Sequence, residues 1–121
     1  MTFTHAHQTL VHYAERLTQL QRVMGQETMA QQAHSLQTFF RQELWPLVTQ
    51  LDLPQQRSQW LSAITEMQRH MRLLAVEISF VQAARQGQTR QQRLGQIEHR
   101  LGQLQGFTQV MMSLLANNVQ T

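Results

Sequence analysis

Apolar residues recur at steps of three and four along most of the chain, a spacing that predicts amphipathic helices. Four segments carry it: residues 5–24, 29–50, 53–86 and 90–116. Three short connections between four helices predict an all-α, antiparallel four-helix bundle that forms one domain over residues 1–121. The predicted core positions are Leu10, Tyr13, Leu17, Leu20, Met24, Met29, Ala33, Leu36, Phe40, Leu44, Leu47, Leu51, Trp60, Ile64, Met67, Met71, Leu74, Ile78, Val81, Leu94, Ile97, Leu101, Leu104, Thr108, Met111 and Leu115.

Glycine and capping residues predict the boundaries between these helices. Gly25 and Gly87 are expected to end the first and third helices in the left-handed conformation. Thr28 with Gln31, and Thr89 with Gln92, have the spacing of a capping box and are expected to start the helices that follow. Asp52 is expected to cap the third helix. Pro46 predicts a kink near Leu44 and Trp45, because proline removes a helical hydrogen bond.

The third predicted helix is about ten residues longer than the second, so the hairpin of the third and fourth helices should project by about 15 Å. Residues 73–84 are apolar around almost the whole helix. An apolar projecting tip favours self-association, so we expect a homodimer through Val76, Phe80 and Val81. The alternative is that the first helix packs out of register and covers this region.

Positive charge is concentrated in the second half of the chain. All ten basic residues are arginines, and the net charge is +3. Residues 62–121 hold six arginines against three acidic residues, and within them Arg85, Arg90, Arg93 and Arg100 have only Glu98 to oppose them. We expect these four arginines to bind an acidic protein partner. Nucleic acid is the less favoured partner, because the stretch lacks dense charge and interleaved aromatic residues.

Two further features leave alternatives open. Glu77 has no arginine three or four residues away in a largely apolar stretch, so it either points outward or pairs with another helix or subunit. Gly102 and Gly106 share one helix face and either admit a close neighbouring helix or loosen their own.

Candidate catalytic and metal-binding motifs are missing from the sequence. There is no cysteine, and the spacing of His5, His7 and His12 does not form a compact ligand set on a helix. Glu66 and His70 are one residue too far apart for a di-iron motif. We therefore expect a protein that is not an enzyme and binds no metal or cofactor. No apolar run is long enough to cross a membrane and no secretory signal begins the chain, which favours the cytoplasm.

Residues 68–104, QRHMRLLAVEISFVQAARQGQTRQQRLGQIEHRLGQL, resemble the cyanobacterial heterocyst frequency control protein PatD family. The resemblance is strongest over RLLAVEISFVQAARQ and QQRLGQIEHRL. It implies a non-enzymatic regulator of cell division and cell differentiation that binds the tubulin-like division protein FtsZ and modulates its assembly. A nucleic-acid-binding regulator and a structural helical adaptor in a larger assembly are the alternatives.

Overall fold

The computed structural model describes residues 2–84 and 86–119 and is helical almost throughout. Its α-helices are α1 (Thr2–Arg22), α2 (Met29–Phe39), α3 (Trp45–Gln50), α4 (Arg57–Ala83) and α5 (Gly87–Val119). A π-helical turn, Phe40–Leu44, joins α2 to α3, and a 3₁₀ turn, Pro54–Gln56, precedes α4. No strand occurs in these residues. The predicted all-α class is confirmed, and α2 and α3 together form the second predicted helix.

The helices pack in chain order around a common core. Helix α1 lies against α2 and α5, and α4 lies against α5 and α2. The start of α5 lies beside the end of α1, where Arg90 Nη2 donates to the Gly25 carbonyl over 3.4 Å. Further along, Gln105 Nε2 donates over 3.1 Å to the carbonyl of Ala14. These contacts make α1 and α5 antiparallel, as the bundle prediction requires.

The periodic apolar residues form the core. Every predicted core position of α4, from Trp60 to Val81, and of α5, from Leu94 to Leu115, is buried. Across the core, the Tyr13 hydroxyl donates to Met71 Sδ over 3.0 Å, and the Tyr13 and Phe40 rings have centroids 6.0 Å apart. The heptad spacing was therefore a sound guide to burial in the two longest helices.

Pro46 is accommodated by the π-helical turn that precedes it. The Trp45 N–H donates to the Phe40 carbonyl, five residues back, and the helical path continues through the proline. A π turn holds more residues than an α turn, so it rotates the positions that follow. Val48 is accordingly buried, whereas the predicted core residue Leu47 is only half-buried. The predicted irregularity is present, and the core register after it differs from the prediction.

Helix boundaries agree with the sequence at Gly25 and differ elsewhere. Gly25 has φ +78° and ends the first helix as predicted. Thr28 makes no side-chain capping bond. Asp52 does not cap a helix and instead forms an ion pair with Arg57 at 3.0 Å. At the opposite end of the bundle from Asp52, α4 stops at Ala83, because Ala84 is extended. Gly87 lies in the first turn of α5 and does not end α4.

The hairpin of α4 and α5 projects less far than expected. Helix α4 has 27 residues, fewer than the 34 of the predicted segment 53–86. A Cβ at Gly25 would lie 3.5 Å from Leu94 Cδ1, so the turn between α1 and α2 is level with Leu94. Helix α5 begins at Gly87, seven residues before Leu94, and therefore extends roughly 10 Å past that turn. None of the helices described has the length and apolarity needed to span a bilayer.

Candidate partner-binding surface

One face of α4 exposes apolar side chains to solvent, within the stretch of residues 73–84 that is apolar around almost the whole helix. Val76 and Phe80, one helical turn apart, are 48% and 49% exposed. Leu73 and Ala83 continue the same face at steps of three, with Leu73 half-buried and Ala83 exposed. We call Leu73, Val76, Phe80 and Ala83 the apolar strip. Grouped apolar side chains on a surface are typical of interaction sites.

Val81 does not belong to this surface. It follows Phe80 directly, and neighbouring residues on a helix point about 100° apart. Its side chain is fully buried in the core of the bundle. The prediction that Val81 takes part in self-association is therefore wrong, while Val76 and Phe80 remain available.

The predicted partner-binding arginines have different environments. The Arg93 guanidinium lies over the Phe80 ring, 4.8 Å from its centroid, and so places a positive charge at the edge of the apolar strip. Arg90 is half-buried and donates to the Gly25 carbonyl. Arg85 lies outside the described residues. The tip thus combines an exposed aromatic ring with at least two guanidinium groups.

Arg100 is not a surface cation, because it forms the centre of a polar cluster between α4 and α5. Its Nε donates to Glu77 Oε1 over 2.6 Å and its Nη2 to Glu77 Oε2 over 3.0 Å. Its remaining nitrogen, Nη1, donates to His70 Nδ1 over 2.6 Å. The Arg100 and Glu77 side chains are only 18% and 17% exposed. Arg100 therefore stabilises the helix pair and is a poor candidate for contacting a partner.

His70 is held neutral in this cluster. Because a guanidinium can only donate, the short contact with Arg100 makes Nδ1 an acceptor. We assign the ring proton to Nε2, which lies 3.4 Å from Arg69 Nη2 and 3.7 Å from Glu66 Oε2. Burial lowers the pKa of His70 below its usual value, and the positive charges of Arg100 and Arg69 act in the same direction. Glu66 and Glu77 oppose this effect but do not outweigh it. The ring also packs on Phe107, with centroids 5.2 Å apart.

These contacts form a regular series along the α4–α5 interface. Arg93, Arg100 and Phe107 recur every seven residues on α5 and meet Phe80, Glu77 and His70 of α4 in turn. The seven-residue spacing is visible in the sequence, but the contact of Arg100 with Glu77 depends on the register between α4 and α5. The alternative in which Glu77 pairs with another helix is the one observed.

The described residues contain no cluster of side chains suited to a metal ion. Within residues 2–84 and 86–119, no group of three or more His, Asp or Glu side chains could hold a metal ion. The surface depressions are open grooves. One of about 520 Å³ lies between α1 and α5, and its lining includes Gln19, Gln105 and Gln109. A Cβ at Gly102 or Gly106 would meet nothing within 4 Å, so these glycines admit no close helix of this chain.

Comparison with known proteins identifies no relative. No family model, no curated protein and no solved structure matches the chain. The surface of the molecule and the sequence resemblance of residues 68–104 are therefore the features that indicate a function.

Proposed function

We propose that the protein is a non-catalytic regulator that binds a protein partner through the apolar strip and the arginines beside it. The partner proposed on the sequence resemblance is FtsZ, whose assembly the protein would modulate in the cytoplasm during cyanobacterial cell division and differentiation. No cofactor is needed for this role. A homodimer through the same strip would compete with the partner.

The observation that carries the proposal is the exposed Phe80 ring with Arg93 stacked on it. Aromatic and arginine side chains supply much of the binding energy at protein interfaces, whereas lone exposed aliphatic residues supply little. The strip lies on the α4–α5 hairpin, which is also the segment that resembles the regulator family. The arginines at the tip would speed encounter with an acidic protein such as FtsZ.

Co-sedimentation with assembling FtsZ tests the proposal. The variant Val76→Gln/Phe80→Gln removes the apolar contacts, and glutamine suits an exposed helix position. We expect it to weaken binding by about tenfold or more, since central interface residues each contribute about 1–2 kcal/mol. The matched control is Leu61→Gln/Val110→Gln, which replaces two apolar residues that are 51% and 49% exposed elsewhere on the surface.

A second variant, Arg90→Gln/Arg93→Gln, separates charge from apolar contact. It should weaken binding several-fold at low salt and less at high salt. Equal co-sedimentation of the parent, both variants and the control would exclude the strip as the binding surface. Steeply salt-dependent retention on DNA, with no binding of FtsZ, would instead favour a nucleic-acid-binding regulator.

A further inference from the structure

A second surface site lies where the π-helical turn faces α4. It is a groove of about 200 Å³ whose lining includes Phe40, Trp45 and Met71. Phe40 and Met71 are buried, while Trp45 is half-buried and therefore partly accessible from the groove. The Phe40 and Trp45 rings have centroids 5.8 Å apart. The groove therefore has an apolar portion formed by two aromatic rings and a methionine, separate from the residues of the apolar strip.

The π-helical turn is the local reason that the groove exists. It changes the rotation of the helix between Phe40 and Trp45, so that both rings lie in the same depression. Such turns are rare and frequently occur at functional sites. The opposite wall is fixed by Gln37, whose Nε2 donates to the Met71 carbonyl of α4 over 2.9 Å. Both walls are therefore held in place without a ligand.

Two arginines from different helices give this groove an uncompensated positive charge. Arg41, on the π-helical turn, and Arg72, on α4, both line the groove and are exposed. Neither forms an ion pair with any residue that the structure describes. No acidic residue lines the groove. Glu43, on the same π turn, lines another depression with His34 and Ser35. The charge is thus available to a ligand.

We propose that this groove binds an acidic peptide segment of a partner protein, with one large apolar side chain seated against Trp45, above the floor that Phe40 and Met71 form. Carboxylates on either side of that residue would pair with Arg41 and Arg72, each of which can donate to two carboxylate oxygens. A volume of about 200 Å³ is below the range of about 300–1,000 Å³ typical of cofactor and drug-sized sites. It suits a single side chain. The site is additional to the proposed function and does not depend on it.

Tryptophan fluorescence gives a direct assay with the parent protein. Trp45 is accessible, whereas Trp60 is 1% exposed and donates its indole N–H to the Val48 carbonyl. The probe is a synthetic peptide with one central leucine flanked by aspartate and glutamate, and the control peptide has asparagine and glutamine at those positions. Only the acidic peptide should change the emission. In a ¹H–¹⁵N spectrum the indole signal of Trp45 should move and that of Trp60 should not.

Charge variants test the recognition itself. The variant Arg41→Gln/Arg72→Gln should bind the acidic peptide about tenfold more weakly than the parent, as expected for the loss of two surface ion pairs. The control Arg22→Gln/Arg57→Gln removes two charges elsewhere and should change binding less than about twofold. Equal binding by both variants, equal binding of both peptides, or an unmoved Trp45 signal would overturn the proposal. Tighter binding of single-stranded DNA than of the peptide at this groove would also overturn it.

Discussion

Arg100 and Glu77 form a two-pronged ion pair across the α4–α5 interface, with N–O distances of 2.6 and 3.0 Å. Both side chains are more than four-fifths buried, so water screens the pair only weakly. Removing one member of such a pair is more damaging than replacing both, because the remaining charge loses its partner but stays buried. Replacing Arg100 or Glu77 alone should therefore destabilise the α4–α5 interface more than replacing both.

The variant Arg100→Met tests this relationship. We expect it to lower the free energy of unfolding by about 2 kcal/mol, because Glu77 is left without its cation. The double variant Glu77→Leu/Arg100→Met should recover most of that loss. Urea denaturation of the parent, both single variants and the double variant measures the coupling. A double variant less stable than Arg100→Met would contradict this expectation. The control is Arg57→Met, which breaks the exposed ion pair with Asp52.

His70 makes the stability of the bundle sensitive to acid. Its pKa is lowered in the folded protein by burial and by Arg100 and Arg69, so the unfolded chain binds the proton first. The contribution of His70 to the free energy of unfolding is therefore fully present above about pH 6.5, the ordinary histidine pKa. It is lost as the pH decreases toward the lowered pKa of the folded state. Urea midpoints measured between pH 8 and about pH 5 should show this fall.

The variant His70→Gln is the control for that pH dependence. Glutamine can still accept the Arg100 hydrogen bond through its carbonyl oxygen but does not titrate. The remaining five histidines are all exposed. The decline in stability from neutral to mildly acidic pH should therefore be reduced in His70→Gln; an unchanged decline would assign it to other groups.

Tyr13 illustrates a buried polar group whose hydrogen bond contributes little. Its side chain is fully buried, and its hydroxyl donates to the sulfur of Met71. Burial raises the pKa of the Tyr13 hydroxyl, so it stays protonated. A thioether is a weak acceptor that needs no donor, so Tyr13→Phe should change the unfolding free energy by less than about 1 kcal/mol. Tyr13→Ala should cost about 3–5 kcal/mol through the cavity left behind. Thermal denaturation distinguishes the two.

Periodicity predicted burial well because it depends only on neighbouring turns of one helix. All seven core positions proposed for α4 are buried, from Trp60 to Val81. Departures begin where the backbone geometry changes. After the π-helical turn the buried position moves from Leu47 to Val48, and no residue pattern before Pro46 shows how the missing hydrogen bond will be accommodated.

The surface was harder to predict because it depends on how the helices align. Arg100 is 23 residues from Glu77, and their contact requires a particular register between α4 and α5. The same register decides that Phe80 is exposed while Val81 is buried. Sequence reasoning located the apolar and basic hairpin, but it could not assign each side chain to the core, to the helix interface or to solvent.

Three glycines in α5 reduce its stability without a packing reason. A Cβ built at Gly95, Gly102 or Gly106 meets no atom within 4 Å. Replacing each with alanine should raise the unfolding free energy by about 0.5–1 kcal/mol, because alanine loses less backbone entropy in a helix. Thermal denaturation of the triple variant should show the sum of the three gains in unfolding free energy. No gain in stability would mean that α5 is held by its neighbours regardless of its own propensity.

Gly25→Ala should have the opposite effect on stability to the alanine substitutions in α5. Its Cβ would make an ordinary contact with Leu94, so space is not the obstacle. The φ of +78° is the obstacle, since a left-handed conformation costs a non-glycine residue about 1 kcal/mol or more. We expect lower stability with the bundle retained. A neutral result would show that the turn between α1 and α2 can rearrange.

The apolar strip is expected to pair with its copy in a homodimer. Val76 and Phe80 lie on one face of α4, and a two-fold axis along that face would bring each strip against its copy. Arg93 would stack on Phe80 at the rim of the dimer, where its charge stays in water. Sedimentation equilibrium at tens of micromolar should give a dimer for the parent and for Leu61→Gln/Val110→Gln, and a monomer for Val76→Gln/Phe80→Gln. A parent protein that is monomeric under these conditions would leave the strip free for a different partner, whereas a dimer that survives the strip substitution would have to use another face of the bundle.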